Sequence, residues 1–588
     1  MKDQALDIHS LREAYLAGRA KPTRVVAEVL RRIKAGPDII WNSVVARKDL
    51  ETRARELASQ SPEKLPLYGI PFAVKDNIDV AGLPTTAGCP GFAYMPRKSA
   101  PVVQALVKAG AIVVGKTHMD QFATGLVGVR SPAGPCPNVF DSRYISGGSS
   151  SGSAVAVAES QVSFALGTDT AGSGRIPAAF NNIIGLKPTR GLLSTRGVVP
   201  ACRGLDCVSI FALTPGDAGR VLDVAGFYDA KDPFARGDVS PVHGDVSDFV
   251  FGIPREDQLD LDGPSRSLWK KAVKHFEKMG GTARVIDFKP FRRAAELLYE
   301  GPYVAERYAA VGRFIEKNPD EVLPVIRDII LGGRDGSAAD AFRASYRLAE
   351  LKRKADAIRS GLDFILTPSA PTIFKIEQVE KDPVAANSRL GFYTNFMNLL
   401  NFSAVALPAD FRRDGLPFGV TIFTDAGGDE YLLRIAHAAA DYADPFPEIA
   451  RGDTLPIVVC GAHMSGMALN HELLERGARL RAKTSTAPVY RFYALPGKGP
   501  ARPGLTRVDK GTADAPGASI QVEVWDMPAN RWGDFIAGIP APLCIGSVQL
   551  ENGESVKGFL CETRAIEATP GVRDITDLGS WREFVKSG

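Results

Sequence analysis

The chain has 588 residues, 45% hydrophobic and 23% charged, which is ordinary globular usage and excludes a disordered, collagenous or coiled-coil protein. At roughly 150 residues per domain there is room for about two to four domains. Its 71 basic residues against 67 acidic give a net charge of +4 with no block of one sign, so neither nucleic acid nor anionic lipid is an expected partner.

Seven scattered cysteines without a CxxC spacing offer neither a disulfide framework nor a zinc site, and they fit a reducing compartment. The polar start, MKDQALDIHSLREAYLAGRAKP, has no signal-peptide core, and no later stretch reaches about 18 uninterrupted apolar residues. The expectation is a cytoplasmic protein that does not span a membrane.

In chain order, Ser10-Leu11-Arg12-Glu13 reads as a capping box for a short helix ending near Gly18. Val25, Val26, Val29, Leu30 and Ile33 then recur at the spacing of a second helix. From about residue 66, short apolar runs (LYGIPFAVKDNID, AGAIVVGKT, SFALGTDT) alternate with helical segments such as Pro101–Lys108, the texture of an α/β sheet domain. Residues 265–360 read as amphipathic helices, and LDFILTPSAPT (362–372) as a strand entering a proline-rich loop. ADPFPEIARGDTLP (443–456) breaks the pattern, and strand-like runs follow it: PIVVCGAH, PVYRFYALPG, SIQVEVWDMP and LCIGSVQLENGESVKGFLCE. A boundary near 455 divides the chain into domains 1–455 and 456–588.

Two motifs mislead. Gly110-Ala-Ile-Val-Val-Gly115-Lys116-Thr117 satisfies the phosphate-loop pattern, but Ala111–Val114 is apolar and largely β-branched, the makeup of a buried strand. Gly148-Ser149-Ser150-Ser151-Gly152 fits a nucleophile elbow around Ser150, which needs a histidine base following an acid. Only seven histidines exist, and His437, His463 and His471 lie far along the chain. No HExxH or comparable cluster marks a metal site.

What remains is an ordered set: Gly69-Ile-Pro-Phe-Ala-Val-Lys75-Asp76-Asn77, then Gly115-Lys-Thr-His-Met-Asp-Gln-Phe, Gly147-Gly148-Ser149-Ser150-Ser151-Gly152-Ser153, Gly167-Thr168-Asp169-Thr170-Ala171-Gly172-Ser173-Gly174-Arg175-Ile176-Pro177, Gly185-Leu-Lys-Pro-Thr189 and LPFGVTIF (416–423). Over residues 20–435 these resemble the amidase signature family. The resemblance implies a mixed sheet flanked by helices and a triad without histidine: Ser173 as nucleophile, Ser149 as bridging serine held through a cis Gly148–Ser149 bond, and Lys75 as base. A lysine can be a base only when its neutral form is populated, and the apolar residues around Lys75 are compatible with a pocket that disfavours the ammonium. The alternative is a surface ion pair of Lys75 with Asp76 or Asp79. The small residues Thr170, Ala171 and Gly172 before Ser173 allow a turn whose N–H groups, with that of Ser173, form an oxyanion hole. Ala171 stands where many amidases have a second glycine, which requires a negative φ, and Gly174 replaces a common aliphatic residue.

Leu298–Tyr308, TAGSGR and QFATGLVGVRSPAG resemble allophanate hydrolases within that family. This implies cleavage of urea-1-carboxylate (allophanate) to ammonia and N-carboxycarbamate, with Tyr299 and Arg307 holding the carboxylate and Gly125 near the amide. Residues 299 and 307 are eight apart, slightly over two helical turns, and so can face one pocket. The alternative is an exposed helix with Arg307 paired to Glu300 or Glu306. The segments after 455 resemble the second domain of allophanate hydrolases, a small β-rich fold similar to γ-glutamylcyclotransferases, implied to assist decarboxylation of the first product to ammonia and carbon dioxide. There Gly461–Gly466 can bind an anion, with His463 as cation or proton donor and Glu523 as acid. The alternatives are a structural loop histidine and a Glu523 paired with Arg491 or Lys557.

The resemblance requires no cofactor or metal, and it implies a separate biotin-dependent urea carboxylase upstream and a homodimer. Another small carboxamide as substrate, or a role within an amidotransferase, is the competing expectation.

Overall fold

In the computed structural model the chain divides into two compact units, Met1–Ala235 with Val242–Pro447 and Arg236–Pro241 with Glu448–Gly588. The described residues are 5–440, 454–496, 501–508 and 516–587. Most of the break expected over 443–456, up to residue 453, lies outside them.

The first unit is built on a mixed sheet that has eleven strands among the described residues. They are β1 (Trp41–Val44), β2 (Pro71–Lys75), β3 (Ile112–Thr117), β4 (Phe164–Asp169), β5 (Ile184–Lys187), β6 (Cys207–Ala212), β7 (Phe249–Pro254), β8 (Gly281–Ile286), β9 (Phe364–Pro368), β10 (Phe402–Phe411) and β11 (Pro417–Asp425). Their order is β1-β3-β2-β4-β6-β5-β10-β11-β9-β7-β8. Parallel pairs β3/β2/β4 and β9/β7/β8 flank a central antiparallel run. Every residue of β2, β4, β6 and β9 is buried, as expected of strands covered on both faces. Phe72 and Phe164, opposite each other in the β2/β4 register, stack at 4.9 Å and each contributes about 1.5–3 kcal/mol by leaving water.

Three expectations change in detail. The first helix spans Ile8–Leu16 and its cap is Asp7, whose carboxylate accepts from Ser10 N at 2.7 Å, so Ser10 is a donor within the first turn. The region 265–360 is helical, but β8 interrupts it after Gly263–Lys278. Its helices Lys289–Glu300 and Tyr303–Lys317 are separate, because Gly301-Pro302 follows the first and proline disfavours a helical residue before it. Tyr299 and Arg307 therefore sit on two helices. Within the glycine-lysine run 110–117, Ile112–Thr117 form strand β3 with Lys116 buried against Asp76, which removes the phosphate-loop reading.

The fold places the candidate site by one relationship. β2 and β4 are adjacent and parallel, so Lys75 at the end of one and Thr168-Asp169 at the end of the other emerge together at the carboxyl edge, where open α/β sheets hold ligands. The helix Ser151–Ala158, which precedes β4, brings the serine-rich turn to the same edge.

The second unit is β-rich. β12 (Thr454–Val459), β13 (Arg479–Ser485), β14 (Tyr490–Leu495), β15 (Arg502–Arg507), β16 (Gln521–Pro528), β17 (Leu543–Gln549), β18 (Ser555–Cys561) and β19 (Arg573–Asp574) form a five-stranded sheet, β13-β16-β12-β18-β17, and a three-stranded one, β15-β14-β19. Its own core gathers Ile457, Val458, Phe492, Val524, Trp525 and Val548. Among the described residues no helix is long and apolar enough to cross a membrane.

Candidate active site

Lys75 closes β2 with its side chain fully buried. Its Nζ lies 2.7 Å from Ser149 Oγ, and Ser149 Oγ lies 3.0 Å from Ser173 Oγ. Amine, hydroxyl and hydroxyl thus make one unbroken path along which a proton can move. Burial disfavours the ammonium, and although Asp120, Asp169 and Asp206 oppose it, the amine's pKa falls to about 7. The alternative ion pairs of Lys75 do not form: Asp76 pairs with Lys116 at 3.2 Å, and Asp79 accepts from Thr85 and Tyr94.

The turn bearing Ser149 is fixed from several sides. Gly148–Ser149 is cis. Asp120 N donates to Ser149 O at 3.1 Å, and the Asp120 carboxylate accepts the N–H groups of Val127, Gly128 and Arg130. A β-carbon on Gly148 would collide with that carboxylate, which explains the glycine. Ser150 is no exposed nucleophile: its Oγ is buried and donates to Thr168 O at 3.1 Å.

Ser173 sits in a turn organised by Asp169. The Asp169 carboxylate accepts from Gly172 N at 3.0 Å and Gly174 N at 2.9 Å, and pairs with Arg175 through Nε and Nη2 at 2.9 and 2.8 Å. This corrects the expected oxyanion hole in one place, since the Gly172 N–H is already committed to Asp169 Oδ1. The Thr170, Ala171 and Ser173 N–H groups donate to no other described residue and remain the candidate donors. Ala171 keeps a negative φ, as an alanine must there, while Gly172 at φ +136° takes the conformation only glycine adopts freely. At Gly174 a β-carbon would come within 2.5 Å of Ser209 Cβ, so the aliphatic residue common in the resembled signature does not fit.

Arg307 is 1% exposed, and the structure brings Tyr299 to it although they lie on different helices. Its Nη1 donates to Thr124 Oγ1 at 3.0 Å, Nη2 is 3.4 Å from Tyr299 Oη, and the guanidinium lies 5.4 Å from the centre of the Tyr299 ring. Glu306 turns instead to Gly204 N, and the side chain of Glu300 lies outside the described residues. Among the described residues Arg307 has no ion-pair partner, and its Nε has no hydrogen-bond acceptor. Gly125 follows Thr124 directly, with Leu126 N held by Asn387 Oδ1 at 2.7 Å.

The amidase family profile matches residues 24–433. The chain belongs to the amidase family. A second profile, the allophanate hydrolase C-terminal domain, matches residues 455–586. A urea amidolyase of Saccharomyces cerevisiae is 42% identical over 577 residues, 93% of this chain but 31% of that protein. The chain thus spans about a third of the length of the curated urea amidolyases it matches. A glutamyl-tRNA(Gln) amidotransferase component of Streptococcus thermophilus is 33% identical over 422 residues, 66% of this chain and 86% of that protein. Among solved structures, a Kluyveromyces lactis allophanate hydrolase superposes with a TM-score of 0.70 at 40% identity, covering 98% of this chain and 99% of the other.

Two residues of the amidase unit escape a reading of its motifs. Thr168 Oγ1 lies 2.8 Å from Lys75 Nζ. By strand alternation Thr168 follows Leu166, which pairs with Val74, while Lys75 falls on the other face, so the contact arises where the two strands end and alternation does not foretell it. Asp206 accepts from the Thr170 hydroxyl, from Ala201 N at 2.9 Å and from Cys202 N at 3.1 Å, and burial pushes its carboxyl up to about 6. It reaches the turn because β4 and β6 pair Asp169 with Cys207, a register that no local signal announces.

Outside the amidase unit, the Glu523 carboxylate is almost fully enclosed: it accepts from Ser465 N at 2.6 Å, Ser465 Oγ at 3.0 Å, Trp525 Nε1 at 3.1 Å and Arg582 Nη2 at 2.9 Å. One N–H of the expected anion loop is thus given to Glu523 itself. Its cation is Arg582, while Arg491 pairs with Asp574 and Lys557 bonds Ser547. His463 Nε2 lies 3.3 Å from Glu472, with its ring stacked on Phe559 at 5.2 Å. Burial lowers the pKa of this imidazole against the pull of Glu472.

Proposed function

We propose that the chain hydrolyses allophanate at its terminal amide through an acyl-enzyme on Ser173. The neutral Lys75 amine takes the Ser149 proton as Ser149 takes that of Ser173, and Ser173 Oγ attacks the amide carbon. The free N–H groups among Thr170, Ala171 and Ser173 stabilise the oxygen that gains charge. The relay returns the proton to the leaving nitrogen, ammonia departs, and water resolves the ester by the same path to N-carboxycarbamate. Arg307 and Tyr299 hold the substrate carboxylate, and Gly125 lies at the amide.

The observation that carries this reading is the continuous contact Lys75–Ser149–Ser173 within electrostatic reach of a buried guanidinium that has no ion-pair partner among the described residues. The near-complete likeness to the Kluyveromyces lactis allophanate hydrolase supports the choice of amide. Residues 456–588, read as a γ-glutamylcyclotransferase-like domain, assist decarboxylation through His463 and Glu523. The reading extends to a cytoplasmic setting, which seven free cysteines support, to a homodimer, and to a separate biotin-dependent urea carboxylase supplying the substrate. Ammonia release from allophanate, malonamate and glutamine tests it: turnover of allophanate is expected, and turnover of either alternative without allophanate overturns it.

A further inference from the structure

Thr124 is gripped by two buried guanidinium groups. Arg307 Nη1 donates to its hydroxyl at 3.0 Å, and Arg130 Nη1 donates to its carbonyl, also at 3.0 Å. Arg130 is 3% exposed, and its Nη2 donates to Pro383 O at 2.5 Å. Neither arginine has an ion-pair partner among the described residues, and the Nε of each lacks an acceptor. The nearby carboxylates are otherwise engaged: both oxygens of Asp120 accept backbone N–H groups, Asp206 holds Thr170, and Glu306 holds Gly204. Two guanidiniums cannot shed their charge by deprotonation at any working pH, and Asp120, Asp206 and Glu306 attract them only at a distance, without direct contact. Direct contact with an anion is thus left to the ligand.

The loop between them is held rather than free. Phe122 and Ala123 take φ of +50° and +53°, values that non-glycine residues adopt only under constraint, and Asn387 fixes Leu126 N at 2.7 Å. The Thr124 hydroxyl donates to Phe122 O at 3.1 Å, which leaves its oxygen lone pairs turned to Arg307. The rest of the Arg307 contacts are long: 3.4 Å to Ala123 O and 3.4 Å to Tyr299 Oη. The one short hydrogen bond that aims the guanidinium is therefore the one to Thr124.

We propose that Thr124 is the residue that sets this site's preference for an anionic amide, by fixing the direction of the Arg307 guanidinium, with Arg130 bracing Thr124 from its backbone side. It is a positioning residue and touches no reacting atom. The inference rests on the carboxylate-binding role of Arg307 stated above and adds to it the group that makes this arginine selective.

Thr124→Val keeps volume and branching and deletes the acceptor of Arg307 together with the hydroxyl's own bond to Phe122 O. In the full chain, steady-state ammonia release from allophanate is expected to show KM raised about ten-fold with kcat within about two-fold, the scale of one charge-assisted hydrogen bond. Thr124→Ser restores the acceptor and is expected to recover the KM, and Thr124→Ala serves in the same comparison if the valine variant fails to fold. An unchanged KM, a loss confined to kcat, or failure of serine to recover the KM overturns the proposal. Arg307→Ala, measured in parallel, separates the two layers. If it raises KM and the Thr124 variants do not, only the role of Thr124 falls. If it leaves KM unchanged, or the unaltered chain does not turn over allophanate, the underlying reading falls and takes this one with it.

Discussion

Thr168 Oγ1 lies 2.8 Å from Lys75 Nζ, so the amine that faces Ser149 is steadied by a second hydroxyl. An acceptor at that distance favours the ammonium over the amine. The proton count follows: Lys75 must be neutral to act, its pKa is lowered to about 7, and kcat/KM is expected to rise with pH through about 7 and level off above it. Thr168→Val removes the acceptor, lowers the pKa further and should move this limb to lower pH. A pH–rate profile of both proteins checks it, and a limb displaced upward in the variant would contradict the assignment.

Ser173→Ala should abolish ammonia release while leaving the melting temperature nearly unchanged, since only one oxygen leaves a turn held by Asp169. Ser149→Ala should lower kcat by about 10²–10⁴, the range for a lost proton-transfer group. Lys75→Arg should be as inactive as Lys75→Ala, because a guanidinium cannot become the base.

Asp169 and Arg175 form an ion pair with both side chains wholly buried. Arg175→Met strands the carboxylate and should cost about 3–5 kcal/mol of stability, read from urea denaturation. Loss of activity without loss of stability would show that the pair serves the reaction alone.

His463→Ala in the second unit should leave ammonia release from the first amide intact and change the fate of the product. Mass-spectrometric analysis of the early time course would show N-carboxycarbamate persisting longer than with the unaltered chain. Identical product ratios would remove His463 from the reaction.

The positions of Lys75, Ser149 and Ser173 were legible because the chemistry is concentrated in short motifs: Lys75 ends and Ser173 closely follows a strand that announces itself by an apolar run, and Ser149 stands in a glycine- and serine-dense turn before the helix Ser151–Ala158. The strands β2, β3, β4, β9 and β11 were legible for the same reason. Other features depend on pairings that no local stretch encodes. Asp206 reaches Thr170 only through the β4/β6 register, and Glu523 finds Arg582, 59 residues away, rather than Arg491 or Lys557. The single-helix placement of Tyr299 and Arg307 failed because the spacing argument passed over Gly301-Pro302. The commitment of the Gly172 N–H to Asp169 was hidden because composition shows that a turn is possible, not which of its donors is spent inside it.

The crowding at Gly174 carries an evolutionary consequence. With Ser209 Cβ 2.5 Å from where a side chain would begin, a branched residue at position 174 has no room beside the present β6. To admit one, the facing position on β6 must become glycine or shift. Sequences descended from a common ancestor should therefore show these two sites changing in concert, and grafting a valine from a distant cousin into position 174 should succeed only when its ancient companion travels with it.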